Sequence, residues 1–185
     1  MSRRMRIMLI GIAVLALTVP AATLYMNQVF AAADSLIDVK ADFGAVGDGV
    51  TDDTNAIRAA IAHAEASGGT VYFPAGRYLL SGNSQELLLI KKNIRLLGNG
   101  FRSQLLVKET VPAHTAVIRI APESLHPHDP DPEALLNFVI DGISIVPENP
   151  EVKSGGHALV IDTKKDGGMR LTVENCYFGE VGGRS

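Results

Sequence analysis

The chain is poor in the residues that identify or stabilise several classes of protein. Its 185 residues include one cysteine, Cys176, and no tryptophan. One cysteine excludes an intrachain disulfide, and its place in the alternating run Leu171–Phe178 predicts a buried thiol instead of a nucleophile. Positive charge is also scarce, because 17 Lys and Arg against 20 Asp and Glu give a formal net charge of −3. We therefore expect no nucleic-acid partner.

Residues 1–33 have the pattern of a signal peptide. Three arginines precede the uncharged apolar stretch Ile7–Val19, and the small residues Ala31–Ala33 suit a signal peptidase. Cleavage would leave residues 34–185 as one domain with a formal charge of −6, because three arginines and no acid are removed. The protein is then expected to be secreted, extracellular or periplasmic, without stable membrane association. An uncleaved N-terminal anchor is the open alternative, because Ile7–Met26 is uncharged and, at about 20 residues, long enough to span a bilayer.

The most informative segment is Asp42–Leu80, which reads DFGAVGDGVTDDTNAIRAAIAHAEASGGTVYFPAGRYLL. Thr51 is a favourable N-cap, and Asp52 and Asp53 would occupy the first helical turn, where carboxylates complement the helix dipole. Together with Asp48, these aspartates lack the spacing of a calcium loop. We interpret all three as turn and cap residues and expect no metal there.

The helix in this segment is expected to run from about Asp52 to Ala66. Gly68-Gly69 ends it, and strands are predicted at Thr70–Phe73 and Tyr78–Leu80. Arg58 is expected to face away from the apolar side of the helix. That apolar side consists of residues at helical spacing, namely Ala56, Ile57, Ala60, Ile61 and Ala64.

This segment resembles the N-terminal signature of the pectate-lyase-like superfamily, in the branch of rhamnogalacturonase-type and epimerase-like proteins. The resemblance implies an all-β fold, a right-handed single-stranded parallel β-helix whose N-terminal end is plugged by the α-helix. It also implies a polysaccharide partner, in many members an anionic one, that is hydrolysed, cleaved by elimination or epimerised. An ordinary β-sandwich is the structural alternative, but it would lack the plugging helix.

Weak repeats after residue 80 favour a solenoid. The pattern of Asn93–Gly98 recurs at Asn137–Gly142 and, over a shorter interval, again at Arg170–Asn175. Two more apolar runs, Ala116–Ile120 and Ala158–Ile161, lie between these segments. The strands of the solenoid are therefore expected at these five places.

Half of the first repeat interval, about 22 residues, is taken as the coil length, which predicts four to five coils between Thr70 and Ser185. Asn175 is predicted to stack on an equivalent residue of the next coil. No capping element follows Phe178, and solenoids need a cap at each end, so a product truncated at its C-terminus is expected. The predicted inward positions are Ile94, Leu96, Val117, Ile120, Ile140, Ile143, Ile145, Leu159, Ile161, Leu171, Val173, Cys176 and Phe178.

The catalytic motifs of the resembled families are missing. Polygalacturonase-like proteins carry paired aspartates with Gly-His-Gly and Arg-Ile-Lys motifs, and alginate epimerases carry Tyr-x-Phe-Asp-x-x-His. The chain has neither set, since its one Asp-Asp pair, Asp52-Asp53, belongs to the helix start. A non-catalytic carbohydrate-binding or cell-surface module and an inactive fragment therefore stay open as alternatives to an enzyme. No cofactor is expected, with Ca²⁺ an option if the parent activity is that of a lyase.

The remaining candidates lie in polar segments that would form loops. The Pro-rich segment Ser124–Glu133 and the charged turn near Lys165 are of the kind that walls the groove of a β-helix, although a solvated loop is the other interpretation of each. Weak catalytic candidates are Asp129, Asp131 and Glu133. Weak substrate-binding candidates are His126, His128, Lys164, Lys165 and Arg170.

We predict that the mature protein begins near Ala32 or Asp34, because the apolar stretch ends in small residues that a signal peptidase accepts. N-terminal sequencing of protein recovered outside the cytoplasm measures this. Recovered material that begins at Met1 or Ser2 would show that the segment is retained as an anchor.

Overall fold

The strands of the chain pair in parallel, in a computed structural model that describes residues 35–122, 136–151, 156–162 and 169–179. One α-helix, α1 (Thr54–Ser67), and a 3-10 turn (Gly100–Arg102) accompany the strands in these ranges. The strands are β1 (Leu36–Asp38), β2 (Asp48–Asp52), β3 (Thr70–Phe73), β4 (Gly76–Leu80), β5 (Glu86–Ile90), β6 (Arg95–Gly98), β7 (Ser103–Val107), β8 (Ala116–Ile120), β9 (Leu136–Asp141), β10 (Ser144–Pro147), β11 (His157–Ile161), β12 (Met169–Glu174) and β13 (Tyr177–Phe178).

These strands form three parallel sheets. Sheet 1 has the order β1-β3-β6-β9-β12, sheet 2 the order β2-β4-β7-β10-β13, and sheet 3 the order β5-β8-β11. Consecutive strands along the chain belong to different sheets, and each strand pairs with the equivalent strand one coil away. This is a parallel β-helix with α1 at its N-terminal end, so the predicted fold class is confirmed.

The sequence repeats coincide with the strand register. Arg95, in the first repeat, pairs with Val139 in the second, and Asn137 in the second pairs with Arg170 in the third. The predicted coil length is therefore wrong, because the first repeat interval is one coil and not two. Coils differ in length because long turns are inserted on both sides of sheet 3. The described strands from Thr70 onward make three full coils and the start of a fourth, instead of four to five.

The predicted core is confirmed where another coil covers it. Ile94, Leu96, Val117, Ile120, Ile140, Ile143 and Ile145 are all buried, and Leu159, Leu171 and Cys176 are partly buried against the same core. Burial was wrongly predicted for Ile161, Val173 and Phe178, which are 38%, 38% and 42% exposed. Each of the three pairs in register with a buried residue. They face inward as predicted, but they lie on the last described strand of their sheets.

The aspartates just before helix α1 bind backbone amides with their carboxylates and lie outside the helix. The expected N-cap, Thr51, lies in β2, and α1 begins at Thr54 after Asp53, which makes no side-chain cap hydrogen bond. The buried Asp53 carboxylate accepts hydrogen bonds from the amides of Val46 (2.7 Å) and Gly47 (2.9 Å). The capping prediction is therefore wrong, because this carboxylate is drawn to the amides of the turn.

Asp52 and Asp48, which precede Asp53 in this segment, also accept hydrogen bonds from groups around them. Asp52 accepts hydrogen bonds from the Thr54 amide at 3.0 Å and from the Ser81 hydroxyl. Asp48 accepts hydrogen bonds from the amides of Val50 (2.8 Å) and Thr51 (2.7 Å). Hydrogen bonds with Thr51 and Val50 lower the pKa of Asp48. The interpretation of these residues as turn residues agrees with these contacts.

Both sides of helix α1 contact the first coil: the apolar side packs against the core, and charged side chains bind the edge of sheet 3. Ile57 and Ile61 are buried in the core. Arg58 was expected to face away from the apolar side, and this prediction is wrong. Its Nε donates a hydrogen bond to the Leu87 carbonyl at 2.7 Å. Glu65 accepts a hydrogen bond from the Lys91 amide at 2.5 Å. The two charged side chains thus bind backbone groups at the free edge of sheet 3, which would otherwise be open to another strand.

The N-terminal segment, residues 1–33, lies outside the described residues, so its assignment as a signal peptide stays a prediction. Nowhere in the four described ranges is there a helix long and apolar enough to cross a membrane. The alternative of an anchor at Ile7–Met26 concerns the same undescribed segment.

Helix α1 yields a stability prediction. Ile57→Asp should lower the free energy of unfolding by about 3 kcal/mol or more, because it buries an unpaired charge. Arg58→Ala should lower it by about 1–2 kcal/mol, because the Leu87 carbonyl loses its donor. The exposed Asn55 is the control, and Asn55→Ala should change it by less than about 0.5 kcal/mol. Urea unfolding measures all three, and equal values for Arg58→Ala and Asn55→Ala would contradict the edge contact.

Candidate functional site

The outer face of sheet 3 lies between the longest turns of the β-helix. At the corner between sheets 1 and 2 the turns are short, since β9 and β10 are separated only by Gly142-Ile143. By contrast, residues 108–115 connect β7 to β8, and residues 121–135 connect β8 to β9, on the two sides of sheet 3. Long connections beside a rigid scaffold are where binding sites concentrate, so this face is the first place to look for a site.

Arg119 is the charged residue at the centre of this face. Its neighbours in β8, Ile118 and Ile120, are buried, so the alternation of the strand directs Arg119 outward. In register it lies between Leu89 of β5 and Val160 of β11. Its side chain is 28% exposed, so the guanidinium reaches solvent from an apolar row.

Residues from the coils before and after orient the Arg119 guanidinium. Its Nε donates a hydrogen bond to Asp162 at 2.7 Å, and one Nη lies 3.5 Å from Glu86 and 3.5 Å from Gln85. The hydrogen bond with Asp162, followed by the charge of that carboxylate, raises the pKa of Arg119. The other Nη has no acceptor among the described residues, so its two N–H groups are unpaired within that part of the chain.

A cavity of about 350 Å³ lies where this face meets helix α1. Glu86 belongs both to the wall of the cavity and to the ion pair with Arg119, so the two features are contiguous. The cavity mixes apolar and polar groups, as pockets for small molecules do. Its lining residues are Arg58, Ile61, Ala62, Glu65, Ser84, Glu86, Leu87 and Leu89.

Most residues predicted for the site lie outside the described part of the chain. Asp129, Asp131, Glu133, His126 and His128 belong to the segment between β8 and β9, and Lys164 and Lys165 to the segment between β11 and β12. Both segments connect sheet 3 to sheet 1, in consecutive coils. Arg170 is described. It is exposed on β12, in sheet 1.

The sequence interpretation missed Arg119, Glu86 and Asp162. They come from three consecutive coils, so no local motif connects them. The apolar runs Ala116–Ile120 and Ala158–Ile161 held the only signal, because pairing them would have placed Asp162 one coil from Arg119. Among the residues that the structure describes, no cluster of His, Cys, Asp and Glu could hold a metal ion.

A second polar network lies on sheet 1. Asp141 pairs with Arg95 at 2.9 Å and accepts a hydrogen bond from the Asn175 amide nitrogen at 2.9 Å. The hydrogen bond from Asn175, and after it the contact with Arg95, lowers the pKa of Asp141. The carboxylate is therefore a poor proton donor, and we assign the network to holding the corner between coils.

This network gives a pH-dependent prediction. Because the pKa of Asp141 is lower in the folded protein, its carboxylate stabilises the fold at a pH above the unfolded-state pKa of 3.8. This stabilisation is lost as the pH falls through the folded-state pKa. Asp141→Asn should lower the free energy of unfolding by about 1 kcal/mol or less at pH 7, since the pair is partly exposed. The difference between the two proteins should vanish near pH 2. Glu174→Gln, on the neighbouring strand, is the control for charge removal, and a difference for Asp141→Asn that stays constant with pH would contradict the network.

The chain is similar to known proteins in both sequence and structure. Residues 36–141 match the family described as rhamnogalacturonase A/epimerase, pectate lyase-like. The chain is 38% identical over 149 residues to alginate lyase 7 of Azotobacter vinelandii, covering 76% of this chain and 16% of that protein. It is 59% identical over 64 residues to mannuronan C5-epimerase AlgE1 of the same organism, covering 32% of this chain and 4% of that protein. Among solved structures, the A-module of mannuronan C-5 epimerase AlgE6, also from A. vinelandii, has a TM-score of 0.58 at 27% identity, covering 76% of this chain and 37% of that one.

Proposed function

The chain belongs to the rhamnogalacturonase A/epimerase, pectate lyase-like family, and from that membership we propose that the outer face of sheet 3 binds an anionic polysaccharide of the polyuronate type. The chain spans only 16% of the alginate lyase and 4% of the epimerase to which it is similar. The activity of a whole protein of this kind, by epimerisation or elimination, is therefore part of the proposal. The similarity to proteins named for mannuronan and alginate supports a polymer of uronic acids over a neutral one.

The observation that carries the proposal is the orientation of Arg119. A guanidinium binds a carboxylate through charge-assisted hydrogen bonds, and it does so best when its plane is fixed and a nitrogen still has donors to offer. Asp162 and Glu86 fix the plane, and within the described part of the chain the second Nη has no acceptor. Because neighbouring residues hold the side chain, little conformational entropy is lost when a sugar carboxylate binds.

Local charge must supply the attraction, since the chain as a whole is acidic. Lys91 and Lys92 follow β5 directly, at the corner where sheet 3 leads to sheet 1. Arg170 is exposed at the same corner two coils further along. These cations border the face that carries Arg119. A polyanion that lies along the axis of the β-helix would meet one or more of them as it passes from coil to coil.

We propose further that the protein acts outside the cytoplasm, where such polymers occur, and that the N-terminal segment directs its export. Turnover by this chain alone is not part of the proposal. Hydrolysis needs two carboxyl groups across the scissile bond, and elimination needs a base beside the acidic carbon with cations for the developing charge. On the described part of sheet 3, Glu86 and Asp162 are both occupied by Arg119.

Binding without turnover is the testable form of this proposal. Calorimetry with polymannuronate oligosaccharides should detect binding by the wild-type chain that weakens as salt is raised. Arg119→Met should weaken it about 10-fold or more, because a charge-assisted contact is lost. Lys108→Met is the matched control, since it removes one positive charge at the end of sheet 2. It should leave the affinity within about 2-fold of the wild-type value.

The same protein should release no new reducing ends and should produce no absorbance of unsaturated uronate. Turnover that disappears on changing Asp129, Asp131 or Glu133 to Ala would overturn this and place the chemistry in the segment between β8 and β9. Equal affinities for Arg119→Met and Lys108→Met would refute the site. Binding that does not depend on salt would favour a non-catalytic module that recognises neutral glycans.

A further inference from the structure

An exposed aromatic pair on the outer face of sheet 2 takes no part in the site on sheet 3. Phe101 is 63% exposed and Tyr177 is 51% exposed. Their ring centroids are 5.6 Å apart and the ring planes are inclined by 69°, an edge-to-face arrangement. Such a pair keeps ring faces open to solvent, which leaves a large apolar surface without a partner.

The turn that carries Phe101 is rigid. Gly100 begins it with φ of +65°, a conformation that favours glycine. The Gln104 side chain donates a hydrogen bond to the Phe101 carbonyl at 3.1 Å. The Asn99 amide donates one to the Ser103 hydroxyl at 2.9 Å. The backbone that carries the exposed ring is therefore held in place before any ligand arrives, which lowers the entropy lost on binding.

Strand register extends the aromatic pair into a row along the β-helix axis. Arg77, Gln104, Ser144 and Tyr177 occupy paired positions on β4, β7, β10 and β13. Neighbouring strands are about 4.8 Å apart, so the row is about 14 Å long, enough for a few pyranose units of a linear polymer. Ser144 is buried, so the surface of the row is formed by the aromatic pair, Gln104 and Arg77.

Two arginines give this surface positive charge. Arg77 and Arg102 are both exposed, and neither has an ion-pair partner among the residues that the structure describes. The one acid in register with Arg77 is Asp48, whose carboxylate accepts hydrogen bonds from the Val50 and Thr51 amides. Exposed cations that adjoin the ring pair in sequence (Arg102) and in strand register (Arg77) match a ligand that carries both carboxylates and apolar C–H faces, as a pyranose uronate does.

We propose that Phe101 and Tyr177, together with Arg77 and Arg102, form a second binding site for an anionic polysaccharide, on sheet 2. Pyranose rings stack their C–H faces on the aromatic rings, and the arginines bind the carboxylates. The proposal takes its ligand class from the function proposed above, but it rests on other residues and another face. It would let the protein hold a polymer chain while the sheet 3 face binds a second segment.

A single-tryptophan variant tests this site directly. The chain has no tryptophan, so the emission of Phe101→Trp reports on this position alone. Titration with polymannuronate oligosaccharides should change its intensity or wavelength maximum, and dextran at the same concentration should not. Leu36→Trp is the matched control, because Leu36 is a 58% exposed apolar residue on sheet 1. Its emission should stay constant.

Two further variants separate this site from the one on sheet 3. Adding Tyr177→Ala to Phe101→Trp should weaken the response about 5-fold or more, whereas adding Arg119→Met should leave it unchanged. In calorimetry with the otherwise wild-type chain, Phe101→Ala should remove one class of binding sites and keep the other.

Each outcome decides the proposal. Constant emission of Phe101→Trp, with wild-type binding still detected by calorimetry, would overturn the second site and leave the function proposed for sheet 3 intact. A response abolished by Arg119→Met would show that the two faces are not separate sites. An equal response to dextran would refute the role of the arginines. No binding by either method would overturn both proposals.

Discussion

The close approach of successive coils at the corner between sheets 1 and 2 sets the spacing on which the rest of the structure depends. A side chain on Gly98 would collide with the Gly142 carbonyl, and one on Gly142 would collide with the Gly98 carbonyl. Gly142 also has φ of +69°, which favours glycine. Asn175 occupies the equivalent corner one coil later, with φ of +53°. Because this contact leaves no room for a side chain at either glycine, the sheets on either side stay in register while turns elsewhere grow.

This constraint explains which parts of the fold could be predicted. Both repeat intervals are visible in the sequence because Gly98, Gly142 and Asn175 fill one structural position in three coils. The coil length could not be derived in the same way, because the turns beside sheet 3 have no fixed length. The predicted stacking of Asn175 on the next coil concerns residues beyond the described part of the chain, so it stays a prediction. Toward the preceding coil its counterpart is Gly142, and its side-chain amide binds Asp141 of that coil.

Competition between hydrogen-bond partners accounts for the errors near helix α1. Aspartate is a residue type that favours the start of a helix, but the carboxylate of Asp53 instead accepts hydrogen bonds from the amides of Val46 and Gly47 at 2.7 and 2.9 Å. Arg58 lies opposite the apolar side by helical spacing, yet the free edge of sheet 3 offers it a carbonyl acceptor. Propensity rules consider only hydrogen bonds to residues a few positions away in sequence, and the partners of Asp53 and Arg58 lie further off. For the same reason the candidate site was only partly foreseen, since Glu86, Arg119 and Asp162 meet only after the coils have stacked.

The same stacking governs how a polymer could be bound. A residue at one position of a coil reappears about 4.8 Å away in the next, so rows of side chains run along the axis on every face. On sheet 3, Arg119 is oriented by a residue from the coil before it and one from the coil after it. Its geometry therefore depends on the register that the Gly98–Gly142 contact enforces. A one-residue slip of β11 relative to β8 would move Asp162 by about 3.3 Å and turn the alternation over, which would break the hydrogen bond to Arg119 and direct buried residues outward. The fold and the site thus share one requirement, and a change at the distant corner would reach the sheet 3 face without touching any residue that binds a ligand.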